Sequence, residues 1–385
     1  MFELCDKKEC TSCMACYNAC SFNAIKINTD SLGTLIPVID RQQCKKCGKC
    51  VSVCPVVHEP EKHEANEAIA LYTKNSEDKK TCASGGVATS LSRKIIQSGG
   101  VVFGTGFSNE GTPVYKKAEA EEQLEEFKGS KYVYCFPGKI YCEVKQELKS
   151  GKLCLFIGTP CHVAGLKGYL GKEYENLITI DLICHGTPPY IYLKEYINQL
   201  GISEKSISKV SFRGEKDFFI VIYNKEGKEL YSKKIDEDVY FLSFMEGLIY
   251  RDICRKCSYA KKERISDITI GDFWGIPKNA LNGYKGKISV ALPNTEKGIN
   301  ILEEYKDCFY TEKHSLEEAV SGNPQLNRPS LVHADTDLFK NEYMRTGNFS
   351  KSINATSIKK EVSKNIIMNK CLKIPRIIKH LMFKP

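Results

Sequence analysis

Apolar and polar positions follow two different rules in this chain, and the change comes near residue 68. Beyond it, short apolar runs rich in β-branched residues alternate with segments whose apolar positions recur at helical spacing. Val101 to Phe107, Leu153 to Gly158 and Leu177 to Cys184 read as strands, and Gly86 to Gln97, Val163 to Leu170 and Pro189 to Leu200 as helices. Strand-helix alternation of this kind implies some parallel sheet. Ser206 to Lys233 reads instead as a meander of short strands, turning at Lys225-Glu226-Gly227. From about Ile288 the pattern predicts one more strand and several amphipathic helices before a basic tail. Ahead of residue 58 no such periodicity organises the chain: two similar cysteine arrays stand there, separated by a short strand and a turn, as an internal repeat. His58 to Glu67 is polar and reads as a linker.

Composition narrows the class. With 385 residues, 42% of them hydrophobic, the chain is globular and large enough for two or three domains. Its 19 cysteines cluster at metal-ligand spacings instead of forming a small secreted disulfide framework, which points to a reducing, cytoplasmic setting. The opening residues, Met1-Phe2-Glu3-Leu4-Cys5-Asp6, lack the basic segment and apolar run of a signal peptide, and no stretch approaches the roughly 20 apolar residues of a membrane span. The net charge is +9, but Ile358 to Pro385 holds eight Lys or Arg against one Glu and so carries +7 of it. A nearly neutral remainder excludes a broad nucleic-acid footprint. In the tail, Ile366, Ile367, Leu372, Ile374, Ile377, Ile378, Leu381 and Phe383 alternate with lysines, and Pro375 interrupts them. A solvated, partly disordered terminus is favoured over a basic helix making peripheral membrane contact.

Cys10, Cys13, Cys16 and Cys20 follow C-x2-C-x2-C-x3-C, and Cys44, Cys47, Cys50 and Cys54 repeat it, with Pro55 after the last. Three thiolates at intervals of three wrap one iron-sulfur cube, and the fourth points to the other. The ligand sets are therefore expected to cross: Cys10, Cys13, Cys16 and Cys54 on one 4Fe-4S cluster, Cys44, Cys47, Cys50 and Cys20 on the second. Zinc sites use two pairs of ligands, not triplets plus one. Ser21 stands where the second array has its proline, a change of loop stiffness and not of ligation. Cys5, outside both arrays, reads as an unligated thiol.

Further along stand Ser84-Gly85-Gly86, Lys128-Gly129-Ser130-Lys131-Tyr132-Val133, Gly158-Thr159-Pro160-Cys161-His162-Val163-Ala164-Gly165-Leu166, Cys184-His185-Gly186-Thr187-Pro188, Cys254-x2-Cys257 and Asp267 to Gly275. In that order they resemble the beta-subunit family of coenzyme F420 hydrogenase and dehydrogenase, which includes the chlorophyll-cycle hydroxymethyl reductase. The resemblance runs from about Ala68 to Arg328, and an amino-terminal ferredoxin fusion is a known arrangement in that family. It implies a flavin, usually FAD, beside a further 4Fe-4S cluster, with a two-electron partner at the flavin face. The fold class expected is α+β: a ferredoxin-like dicluster domain (1–57), a linker (58–67), an α/β flavin-binding domain with a mixed sheet in two parts (68–150 and 151–330), and a helical basic tail (331–385).

The residues are compatible with those implications. Ser84, Gly85 and Gly86 precede a helix, and Gly158, Thr159 and Pro160 lie between a strand and a helix, both suited to a pyrophosphate at a helix end. Glycines that merely make tight turns are the bland alternative. Lys131 and Tyr132 offer a phosphate-binding charge and a stacking ring, or a plain surface role. For the third cluster, Cys254 and Cys257 form a pair, and Cys161 and Cys184 each follow a strand. Spacing alone leaves zinc or unligated thiols open, and the resemblance favours iron-sulfur. Cys82, Cys135, Cys142 and Cys154 are rival ligands, while Cys308 and Cys371 read as structural. His162 and His185 are candidates for proton relay or for tuning sulfur, or are simply satisfied turn histidines. Asp267, Asp272 and Trp274 are expected to fix the turn around Cys254 and Cys257 or to line the flavin cavity.

Together these readings predict an oxidoreductase with no catalytic residue singled out. Electrons would run between a redox partner protein or ferredoxin-like donor, the clusters and a flavin that meets a small-molecule substrate. A non-catalytic electron-transfer subunit is the first alternative, and a zinc-dependent structural protein the second.

Overall fold

In a computed structural model of the chain, residues 4–214 and 218–373 are described, the last four of them by backbone alone. The amino-terminal unit holds a hairpin of β1 (Ile25–Thr29) and β2 (Leu35–Ile39) between two short helices, Ala15–Ala19 and Lys49–Ser52. Each helix starts inside a cysteine array, after a residue with positive φ: Met14 at 64° and Gly48 at 75°. Left-handed backbone turns the chain sharply enough to aim successive cysteines at one centre.

The next strands are β3 (Ala68–Thr73), β4 (Val101–Phe107), β5 (Pro113–Ala118), β6 (Cys154–Gly158) and β7 (Leu177–Leu182). The meander is β8 (Ile207–Ser211), β9 (Phe219–Asn224) and β10 (Glu229–Lys234), a separate antiparallel sheet. Then come β11 (Ile268–Asp272), β12 (Ser289–Pro293) and β13 (Phe309–His314). The large sheet has the order β13-β3-β12-β11-β7-β6-β4-β5. Its middle, β4-β6-β7-β11, is parallel and both flanks are antiparallel. It is thus the mixed sheet expected, though the sequence reading left out β3, β5 and β11 and expected one strand after Ile288 where two stand.

Both faces of the large sheet are covered, as alternate residues show. Val101 and Phe103 pack with Tyr141, Val144 and Leu166 on one side, while Val102 packs with Leu91 and Ile95 on the other. A further core joins helix Tyr190–Gln199 and the meander to Phe339 and Phe349 of the later helices. The tail begins as a helix, Ile358–Lys373, whose Ile358 and Val362 are buried. Its Asn365 and Asn369 donate to Asp236, so this part is docked and not loose. Pro375 and the apolar positions beyond it lie outside the described residues. Among the described residues no helix is long and apolar enough to cross a membrane.

Candidate functional site

The parallel strands bring their carboxyl ends to one edge of the sheet, where loops diverge and leave room for a ligand. A cavity of about 300 Å³ lies there. Thr105 of β4, Gly158 of β6, Leu182 at the end of β7 and Asp272 of β11 all reach it.

Two helices open on this cavity by their amino ends, Val87–Gln97 after Gly86 and Pro160–Leu170 after Thr159. Neither start has a side-chain cap, so backbone N–H groups and the positive ends of the helix dipoles face the cavity. An anionic group such as a pyrophosphate suits that setting. Ser84 and Gly86 line the cavity, but Gly85 does not: its N–H donates to Ser289 Oγ at 2.8 Å, and a Cβ there would stand 2.3 Å from the Leu71 carbonyl oxygen. Gly85 therefore serves close packing of the loop on β3 and β12. Arg213, which sequence reasoning passed over, ties this loop to β11 by donating to the Ala83 carbonyl at 2.7 Å and to Asp272 at 3.1 Å.

Lys131 and Tyr132 both line the cavity. The Lys131 ammonium donates to the carbonyls of Glu126, Phe127, Lys128 and Gly129, so it caps the end of the preceding helical turn instead of standing free for a phosphate. Burial pushes its pKa down to about 7. The Tyr132 ring is stacked on Phe244 at 4.3 Å between centroids.

Cys161, Cys184, Cys254 and Cys257 line the same cavity. Each thiol of Cys161, Cys184 and Cys257 is shifted upward, first by burial and then by its neighbours within this set, which places the four within electrostatic reach of one another. Of the rivals, Cys82 and Cys135 also line the cavity, bonded to Thr89 at 3.2 Å and to the Val133 carbonyl, while Cys142 and Cys154 lie outside it, bonded to Asn18 and to the Lys152 carbonyl. Cys308 is half-buried against the core, and the Cys371 side chain lies outside the described residues. Arg251, three residues before Cys254, is buried against the group; it donates to Thr187 Oγ1, to the Thr11 carbonyl and, at 3.8 Å, to Cys254 Sγ. Burial works against its charge, but Cys254 and Cys161 outweigh it and raise its pKa.

The first array abuts this site. Among the influences raising the Cys13 thiol, after burial, are Cys10, Cys54 and Cys161, so Cys13 looks toward its own array and toward the cavity group. After burial, Cys13, Cys10, Cys54 and Cys50 raise the Cys16 thiol, while Cys44 and Cys47 act on Cys50. Cys20 Sγ accepts from the Ala24 N–H. Cys5 is set against Cys10 and Cys54, and its hydrogen bonds lower those two thiols to about 7 and about 6. Hydrogen bonds and a close backbone approach fasten this unit to the larger one. Tyr134 and Tyr141 donate to the carbonyls of Ser12 and Cys13, Asn18 to that of Gly138, and Arg251 to that of Thr11. At Gly165 an added Cβ would stand 2.8 Å from Cys13 Cβ. The polar segment 58–67 is also fastened, by paired backbone hydrogen bonds between His63 and Arg264.

Among the described residues no three His, Cys, Asp or Glu side chains close around a single ion. Cubane ligands sit on separate corners and stand further apart than the ligands of a tetrahedral zinc, and all-thiol sets suit iron and sulfide.

His162 lies on helix Pro160–Leu170, not in a turn; its Nδ1 meets Tyr115 Oη at 2.9 Å, and its Nε2 is buried without a partner. Burial, then Arg251, push its pKa down to about 3, which keeps the ring neutral. His185 is half-buried in the cavity wall. In the 267–275 segment, residues 268–272 form β11 between β7 and β12. Asp272 and Trp274 line the cavity, but Asp267 is buried and accepts from Thr179 N–H and Oγ1, each at 2.7 Å.

Residues 151–319 match the family model for the C terminus of the coenzyme F420 hydrogenase/dehydrogenase beta subunit, and residues 9–57 match the 4Fe-4S dicluster domain. A curated relative, an uncharacterized protein of Methanocaldococcus jannaschii, is 23% identical over 338 residues, which cover 78% of this chain and 84% of the relative. A chain in a xenon-derivatized F420-reducing NiFe hydrogenase complex of Methanosarcina barkeri is similar at a TM-score of 0.46 and 16% identity, over 75% of this chain and 90% of that one.

Proposed function

We propose a specific redox task for this chain, which joins a 4Fe-4S dicluster domain to a domain of the coenzyme F420 hydrogenase/dehydrogenase beta-subunit family. It is an iron-sulfur flavoprotein oxidoreductase that passes electrons between an external one-electron carrier, its clusters and a two-electron substrate. Cys44, Cys47, Cys50 and Cys20 hold an outer cluster, Cys10, Cys13, Cys16 and Cys54 an inner one, and Cys161, Cys184, Cys254 and Cys257 a third. FAD occupies the cavity. Bound there, it would exchange a hydride or two electrons with a small molecule and single electrons with a cluster.

The observation that carries this reading is the succession of thiols, from an exposed Cys47 through buried Cys13 and Cys16 to four cysteines in the cavity wall. Thiolates in file at these spacings suit iron-sulfur clusters that relay single charges. The chain's own residues do the rest. The amides after Gly86 and Thr159 bind a pyrophosphate, Tyr132 offers a ring face, and Arg251 keeps a positive charge beside Cys254. His162 Nε2 offers a hydrogen bond inside the cavity. Domain limits at 57, 67, 150 and 330 and a cytoplasmic setting go with this reading.

The test is cofactor content. Anaerobically prepared protein is expected to hold about twelve iron and twelve sulfide per chain, to show cubane signals in EPR after reduction, and to bind one FAD. Full iron with no flavin, bound or taken up, would reduce the protein to an electron-transfer subunit serving a partner enzyme. Zinc in place of iron would end both readings.

A further inference from the structure

The outer array stands at the surface in a local surplus of positive charge. Between Arg41 and His58 there are four Lys or Arg and no Asp or Glu. Lys45, Lys46 and Lys49 are exposed around Cys47, which is itself exposed, whereas Cys13 and Cys16 are buried. Backbone geometry keeps this loop outward: Lys46 and Gly48 take positive φ of 56° and 75°, and the Lys46 N–H faces Cys44 Sγ. The positive field extends onto the larger unit. The Lys145 ammonium is disfavoured first by burial and then by Lys149, Lys49 and Lys172, which puts these four lysines within reach of one another. Glu147 is engaged with Lys117 and Lys152 and Glu173 with Lys167, which leaves Glu143 and Glu175 as the carboxylates nearest in sequence to Lys145 and Lys172. Lysines gathered without carboxylate partners repel each other, a cost that an anionic surface would relieve.

We infer that this collar of Lys45, Lys46, Lys49, Lys149 and Lys172 is the docking surface for an acidic one-electron carrier protein of the ferredoxin class. The inference rests on the electron-transfer reading above and adds to it the face and the chemistry of the partner. Charge steers the carrier so that its own cluster comes to rest over Cys47, the most exposed of the outer ligands. In each encounter the carrier loses one electron and the cluster held by Cys20, Cys44, Cys47 and Cys50 gains one; no bond or proton moves.

The experiment uses the anaerobic holoprotein in stopped flow with two donors, a reduced acidic bacterial-type dicluster ferredoxin and the small cationic radical of methyl viologen. With ferredoxin, the second-order rate of cluster reduction is expected to fall steeply as salt rises. The variant Lys45→Glu/Lys49→Glu is expected to lose about tenfold of that rate at low salt and most of the salt dependence. Lys149→Glu/Lys172→Glu, which leaves the cysteine loop untouched, is expected to lose part of it in the same sense. Viologen, being cationic, should reduce both variants no more slowly than the wild type, so a slower ferredoxin reaction cannot come from a damaged cluster. Variants that keep the wild-type ferredoxin rate and salt slope overturn the docking face, as does a collar that binds anionic vesicles but not ferredoxin. Wild-type protein whose clusters take no electrons from viologen overturns instead the electron-transfer reading on which the face depends.

Discussion

At Gly165 the helix Pro160–Leu170 touches the first array so closely that an added Cβ would meet Cys13 Cβ at 2.8 Å and Tyr141 Oη at 2.9 Å. Cys13 Cβ is fixed to its backbone, and the buried Tyr141 hydroxyl is held on the Cys13 and His162 carbonyls, so Gly165→Ala forces the two units apart. We expect it to cost about 1 to 3 kcal/mol and to reduce the yield of the inner cluster. Thermal unfolding and iron content would check this, and a variant with full iron and an unchanged Tm would refute it. Arg251 belongs to the same scale. Its charge beside Cys254 favours electron-rich sulfur, so Arg251→Gln should lower the potential of a cluster held there. The expected size is tens of millivolts, on a one-electron scale of about 59 mV per tenfold, read by EPR-monitored titration. The cysteines were readable because their meaning lies in intervals of three and four residues. Arg251 was not, since its partner Thr11 is 240 residues away.

Elements show a similar divide. Strands β4 and β6 were visible as apolar β-branched runs bounded by glycine, and the structure places them within a residue of expectation. β11 was not among the strands read from the sequence, because its flanks carry Asp, Gly and Trp. Pairing with β7 and β12 overrode those local signals. The helix Ser76–Thr81 bears on the site through Asp78, which is buried and joined to Arg93 at 2.5 Å and Lys128 at 3.0 Å. Burial alone would raise the Asp78 pKa, but the two cations more than compensate and the net shift is downward. A depressed carboxyl stabilises the fold above its unfolded pKa of about 3.9 and loses that contribution as the pH falls through the lower folded value. Asp78→Asn should therefore cost about 3 kcal/mol at neutral pH, and the gap to wild type should close under acid. Urea unfolding at pH 7 and near pH 3 would show it; a gap independent of pH would mean that the ion pairs are not its source.

On the scale of the whole molecule, thiols at the seam of two units couple cofactor to fold. The contacts of Tyr134, Tyr141 and Arg251 all end on backbone within the first array, whose shape depends on what its cysteines hold. Anaerobic removal of iron should lower the Tm and loosen residues 9–57 first, as hydrogen exchange on stripped and intact protein would report. Equal protection in both would separate folding from the clusters. By itself the sequence determined the two cysteine arrays and the alternating core of the larger unit, because each is written in short intervals along one stretch of chain. Only the tertiary structure decided that Cys161, Cys184, Cys254 and Cys257 line one cavity, that the first array abuts it, and that Lys131 donates to backbone carbonyls. The reason is physical: such neighbours come together through sheet order and packing, and one segment's pattern carries no record of which distant segment will lie beside it.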